Sequence, residues 1–144
     1  LGRQRESKFS TAMAVQYDQL RDYSKQLIEE YDVRPADTEA VIDSLSGGNQ
    51  QKVVVSRELS KNASLVIAAH PTRGLDIRAS AFVRESLLKQ KDKAVLLISS
   101  DLAELLSISD RIAVIYNGEI CGSFSANETN ERELGMYMTG MKRN

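Results

Sequence analysis

Two short, uninterrupted apolar runs, Leu65 to Ala69 and Val95 to Ile98, constrain this chain more than any other feature. A strand that alternates apolar and polar residues keeps one wet face. A continuous run has none, which is the pattern of a parallel strand buried on both faces. Between the runs, Ile77 to Gln90 has helical character, with Glu85 and Lys89 at the supportive i,i+4 spacing. Strand, helix and strand in that length form a βαβ unit with a right-handed crossover. The fold class is therefore α/β, built on a parallel-sheet core.

The flanking segments are read by the same rules. Apolar residues at Met13, Tyr17, Leu20, Leu27 and Tyr31 make a helix-period stripe over Thr11 to Tyr31. The ten residues before it are polar and aperiodic, and are expected to fray. Pro35 lies in a looser segment, residues 32 to 44, that breaks this helix. A second helix follows Ser46, with Val53, Val54, Val55 and Leu59 expected on one buried side and an end near Lys61 and Asn62. Asp101 and Glu104 have capping-box spacing, which places a short helix over Leu102 to Ser107. Asn117-Gly118 is a hairpin turn joining Arg111–Tyr116 to Glu119–Phe124. Asn127 to Met138 reads as a terminal helix, and the residues beyond it as a fraying end.

Composition removes several function classes. Lys plus Arg number 19 against 20 Asp plus Glu, a net charge of −1, which argues against nucleic acid or an anionic membrane as an electrostatic partner. No apolar run approaches the roughly 20 residues needed to span a bilayer, so no direct membrane insertion is expected. Cys121 is the single cysteine and cannot close an internal disulfide, and nothing resembles a signal peptide, which together favour a reducing cytosolic setting. His70 is the single histidine; without cysteine or further histidine it makes no metal site and reads as a polar residue at a strand end. Cys121 reads as a small strand residue rather than a reactive thiol.

Chemistry concentrates in Leu45 to Lys52, LSGGNQQK. Free backbone N–H groups at a helix N-terminus point at an anion, glycines let it approach, and the Ser46 hydroxyl adds a donor. Taken alone, these residues are more commonly explained as a turn that simply caps a helix. Asp76 is similarly placed to cap the helix at Ile77.

LSGGNQQK resembles the signature motif of ABC ATPases. About fifteen residues later, where that family places its Walker B strand and D-loop, the chain reads LVIAAHPTRGLD from Leu65 to Asp76. Ala94 to Leu102, AVLLISSDL, is similar to the strand and turn that carry the family's switch histidine, and Ser109 to Ile120 to its closing hairpin. The four matches lie in order over residues 45 to 122. Asn49 in place of the usual Gln, PTRGLD after the strand, and ISSDL in place of a histidine turn are most similar to the second ATPase half of fused ATP-binding subunits in bacterial simple-sugar and nucleoside importers.

The resemblance implies part of a P-loop NTPase fold of the ABC ATPase type. Residues 1–44 would be a lead-in and a helical subdomain segment, and residues 45–144 the C-terminal part of the ATPase core. No GxxxxGK[ST] string occurs and no glycine precedes a lysine, so the chain is expected to be the later part of an ATPase domain. ATP hydrolysis in the family is implied to need a magnesium-holding Asp, a water-polarising Glu and a γ-phosphate-contacting His. The matching positions here are Ala69, His70 and Ser100. Ala69 offers no oxygen, His70 stands where a carboxylate is expected, and Ser100 brings no charge. No catalytic residue in cis and no metal site are therefore expected.

Other roles also follow from the resemblance. Ser46, Gly47, Gly48 and Asn49 would contact a nucleotide in trans, on the facing ATPase half, and Gly74, Leu75 and Asp76 would form the D-loop at the dimer interface. The implied partners are the first ATPase half of the same subunit or a second ATPase subunit, together with membrane permease subunits. ATP and Mg2+ would serve the complete subunit, with no tight binding to this chain alone. The place would be the cytoplasmic, inner face of the cell membrane, held peripherally. The alternative is a stand-alone, catalytically dead ABC-type binding or regulatory module.

Overall fold

A computed structural model describes residues 6–11 and 14–142. Its elements run α1 (Tyr17–Glu30), α2 (Gly47–Leu59), β1 (Leu65–Ala69), α3 (Ile77–Leu88), β2 (Ala94–Ile98), α4 (Leu102–Ile108), β3 (Arg111–Tyr116), β4 (Glu119–Ser125) and α5 (Glu131–Met138), with short 3-10 turns at Ile42–Ser44 and Ala126–Glu128. Four helices begin on a side-chain cap. Ser46, Asp76, Asp101 and Asn130 each accept a hydrogen bond from the backbone N–H three residues on.

The βαβ unit forms as the apolar runs require. β1 and β2 pair in parallel, in register from Leu65 opposite Ala94 to Ala69 opposite Ile98, with α3 as the crossover. Burial of both sheet faces does not follow. Val66, Ala68 and Leu97 pack into a core with Leu27, Tyr31, Val33, Val55, Leu59, Val83 and Leu87. On the opposite face, Leu65, Ile67, Ala69, Ala94, Leu96 and Ile98 are all exposed. α2 and α3 supply a helical layer for one side, and no described element lies over the other.

A second core joins the hairpin to α4 and α5. Ile112, Val114 and Cys121 from the strands meet Leu134 and Tyr137, with Leu102 and Leu105 packed alongside. Cys121 is buried, as a small strand residue should be, and its thiol lies 3.3 Å from the Val114 carbonyl. Asn117 and Gly118 take φ of 50° and 82°, the left-handed pair a tight hairpin demands.

Several expectations need correction. Phe9 does not fray: it is fully buried and lies 5.1 Å from the Tyr23 ring, centroid to centroid. α1 begins at Tyr17 rather than Thr11, because Ser10 and Val15 form a β-bridge that Gln16, donating to the Phe9 carbonyl, closes; Met13 lies outside the described residues. α2 ends at Leu59, and Val54 points to solvent, since three consecutive residues sweep about 200° of a helix and cannot share one side. The capping box at α4 is half-made: Asp101 accepts from the Glu104 N–H, but the Glu104 carboxylate turns inward to Thr72. The terminal helix starts at Glu131, where Asn130 caps it, and the chain beyond Met138 is tied back by Gly140, Met141 and Lys142 N–H groups donating to the Tyr137 and Met136 carbonyls.

Candidate functional site

Ser46 leaves the preceding turn in an extended conformation and caps α2, with Ser46 and Gly47 exposed and Gly48 and Asn49 half-buried. The four residues that follow the glycines reach three separate stretches of main chain. Asn49 Oδ1 accepts from the Arg34 backbone N–H at 2.8 Å, and Gln50 Nε2 donates to the Ile42 and Leu45 carbonyls at 3.2 and 3.0 Å. Gln51 Nε2 donates to the Pro71 carbonyl at 3.0 Å, and Lys52 Nζ to the Asp32 carbonyl at 2.6 Å. The turn after α1, the turn before Ser46 and the loop after β1 are thus all fastened to the first turns of α2. Sequence reasoning missed this. The available signal was a run of amide and ammonium side chains with no apolar residue among them, at the start of a helix otherwise read for its valines.

The start of α3 adjoins the start of α2. A Cβ placed on Gly48 would lie 3.4 Å from Ala79 Cβ and 4.0 Å from Asp76 Oδ2. Gly74, at φ 75°, occupies a conformation that side-chain-bearing residues rarely adopt, and the turn it permits delivers Leu75 and Asp76 to that junction. Asp76 spends Oδ1 on the Ala79 N–H at 2.8 Å. The structure therefore brings Ser46, Gly47, Gly48 and Asn49 together with Gly74, Leu75 and Asp76 at one corner.

Ala69, His70 and Ser100 lie at the C-terminal ends of the two parallel strands. Ala69 pairs with Ile98, and His70, at φ 46°, donates its N–H to the Ile98 carbonyl at 2.8 Å. An open cleft of about 380 Å³ there is lined by His70, Thr72, Arg73, Ser99, Ser100 and Asp101. None of the α2-start residues lines it. The nearby carboxylates are engaged elsewhere: Asp101 caps α4, and Glu104, fully buried, accepts from the Thr72 hydroxyl at 2.8 Å. Among the described residues no group of three or more His, Cys, Asp or Glu side chains is placed to hold a metal ion. The cleft offers hydrogen-bond donors and the Arg73 cation, which suit an anion better than a divalent metal.

No family model matches the chain. Curated proteins do: it is 51% identical over 119 residues to the guanosine import ATP-binding protein NupO of Bacillus subtilis, across 81% of this chain and 23% of that protein. The chain belongs to the ATP-binding cassette family. It is also 44% identical to the nucleoside import ATP-binding protein NupA of Lactococcus lactis, over 88% of this chain and 25% of the relative. A ribose import ATP-binding protein of the same species is 38% identical over 82% and 24%. The chain spans about a quarter of the length of these relatives. Among solved structures, a dimeric ATP-binding cassette in a post-hydrolysis state bound to ADP and Pi superposes with a TM-score of 0.64 at 23% identity, over 83% of this chain and 51% of that one. That likeness shows the fold, of which this ABC chain carries about half. No described helix is long and apolar enough to cross a membrane.

Proposed function

We propose that this chain is the later part of the second ATPase half of an energy-coupling, ATP-binding subunit in a bacterial importer of nucleosides or simple sugars. Residues 1–44 would contribute a helical subdomain segment and residues 45–144 the C-terminal part of the ATPase core. The names of its relatives, which import guanosine, nucleosides and ribose, support the substrate class. One observation carries the mechanism: the Ser46 to Asn49 turn and the Gly74 to Asp76 turn share an exposed corner, while the strand ends present Ala69, His70 and Ser100 in place of hydrolytic machinery. The corner acts outward. Backbone N–H groups and the Ser46 hydroxyl contact the γ-phosphate of a nucleotide held by the facing ATPase half, and the D-loop touches that half. ATP and Mg2+ belong to the facing site, and this chain alone binds them weakly at best. The subunit works at the inner face of the cell membrane, against permease subunits.

Steady-state ATP hydrolysis by the complete subunit tests this. Ser46→Ala should slow it and His70→Ala should not, because only the first residue serves an active site. An unchanged rate in Ser46→Ala, or a rate lost with His70→Ala, would overturn the assignment, the first outcome favouring a catalytically dead binding or regulatory module.

A further inference from the structure

Asn49 is placed to decide where the Ser46 proton points. A backbone N–H only donates, so the Asn49 atom 2.8 Å from the Arg34 nitrogen is its carbonyl oxygen. That contact fixes which way the amide lies, since the other end must then be the NH2 group. Nδ2 sits 3.0 Å from Ser46 Oγ, and the Asn49 backbone N–H approaches the same oxygen at 3.4 Å. A serine hydroxyl accepts at two lone pairs and donates one proton. With donors arriving at both acceptor positions, the proton is left to point away from the helix, into the open space before the exposed Ser46 and Gly47.

The amide is itself held. One helical turn along the same side of α2, Lys52 donates to the Asp32 carbonyl at 2.6 Å and its carboxylate at 3.2 Å, with the ammonium 5.1 Å from the Phe82 ring centroid. Residues 32 to 34 are thereby fastened to α2 at two points, and the Arg34 N–H that orients Asn49 stays in place.

We propose that Asn49 is a positioning residue: its Nδ2 group holds the Ser46 hydroxyl as an outward donor, ready for a phosphoryl oxygen of the facing nucleotide. This rests on the trans role proposed for Ser46. Aspartate is the informative replacement at this position. It has the same shape, still accepts from the Arg34 N–H, and places an acidic group in the first turn, which suits a helix N-terminus. Facing Ser46, however, it accepts where asparagine donates, so the hydroxyl swings inward and donates its hydrogen bond to the new carboxylate.

The test is a double-mutant cycle in the complete ATP-binding subunit, with ATP hydrolysis measured for Ser46→Ala, Asn49→Asp and both together. Each single change should lower kcat, on the order of 10²-fold for a lost transition-state donor. The double variant should fall no further than either single one, because Asn49 acts only through the oxygen that Ser46→Ala removes. Losses that multiply would mean that the added charge meets the nucleotide directly, and would overturn the positioning role. Full activity in Asn49→Asp would overturn it as well. Full activity in Ser46→Ala would instead bring down the trans role, and the inference with it. Should Asn49→Asp fail to fold, Asn49→Ala carries the same cycle: it frees the hydroxyl to rotate, and its smaller loss must vanish in the Ser46→Ala background.

Discussion

Asp32 shows how single side chains set this surface. It stands just past α1 at φ 47°, a left-handed conformation uncommon for a residue with a side chain, and two cations hold it there. The hydrogen bond from Lys52, and then that from Arg34, lower its carboxyl below the ordinary value of 3.8. The sign follows. A group whose folded pKa lies below its unfolded one adds stability above the unfolded value, and that stability is lost as pH falls through the folded one. The Asp32 carboxyl, followed by NMR, should therefore titrate with a midpoint below 3.8, and Lys52→Met should raise it. Both ions are partly exposed, so salt should shrink the difference. A wild-type midpoint at or above the ordinary value would remove the pairing as the clamp on this turn.

At the scale of elements, the Thr72–Glu104 bond docks α4 on the loop that follows β1. Glu104 is only 1% exposed, and Thr72 is the donor to its Oε1. Thr72→Val keeps the shape and leaves a buried carboxylate short of a donor, a loss of about 1–3 kcal/mol. Urea unfolding should show a lower midpoint with an unchanged slope; an unchanged midpoint would mean that water satisfies the carboxylate. The contact also marks where local sequence stops being informative. Asp101 three residues before Glu104 announces the cap correctly, because capping is a matter of spacing within one turn. Nothing within that turn says that Glu104 will face a threonine on another loop. The same boundary explains the rest. The βαβ unit, the Asn117-Gly118 hairpin and the helix starts at Ser46 and Asp76 were legible, each resting on a short periodic or turn pattern. Burial of Phe9 beneath Tyr23, the main-chain partners of Asn49 to Lys52, and the abutment of Gly48 on Ala79 were not, since each depends on a segment distant in sequence.

For the whole molecule, the uncovered sheet face governs how the chain behaves in water. Leu65, Ile67, Ala69, Ala94, Leu96 and Ile98 form one contiguous apolar patch, with Ile67 and Leu96 paired at its centre and 62% and 50% exposed. A monomer rarely leaves more than a few hundred Å² of such surface open to water. The two strands add to the problem, because among the described residues each pairs with one neighbouring strand, leaving its other edge without a strand partner. The continuous apolar runs suit a face that is covered, and no element among residues 6–11 and 14–142 covers it, so self-association of the chain through this face is the expected outcome. Ile67→Lys with Leu96→Lys puts two like charges on neighbouring strands at the middle of the patch while leaving the core face of Val66, Ala68 and Leu97 untouched. In sedimentation velocity the wild-type chain should associate as its concentration rises, and the double variant should stay monomeric with the same helical circular dichroism. Equal association in both would place the sticking surface elsewhere; a variant that loses its helical signal would show that this face already supports the fold of the chain alone.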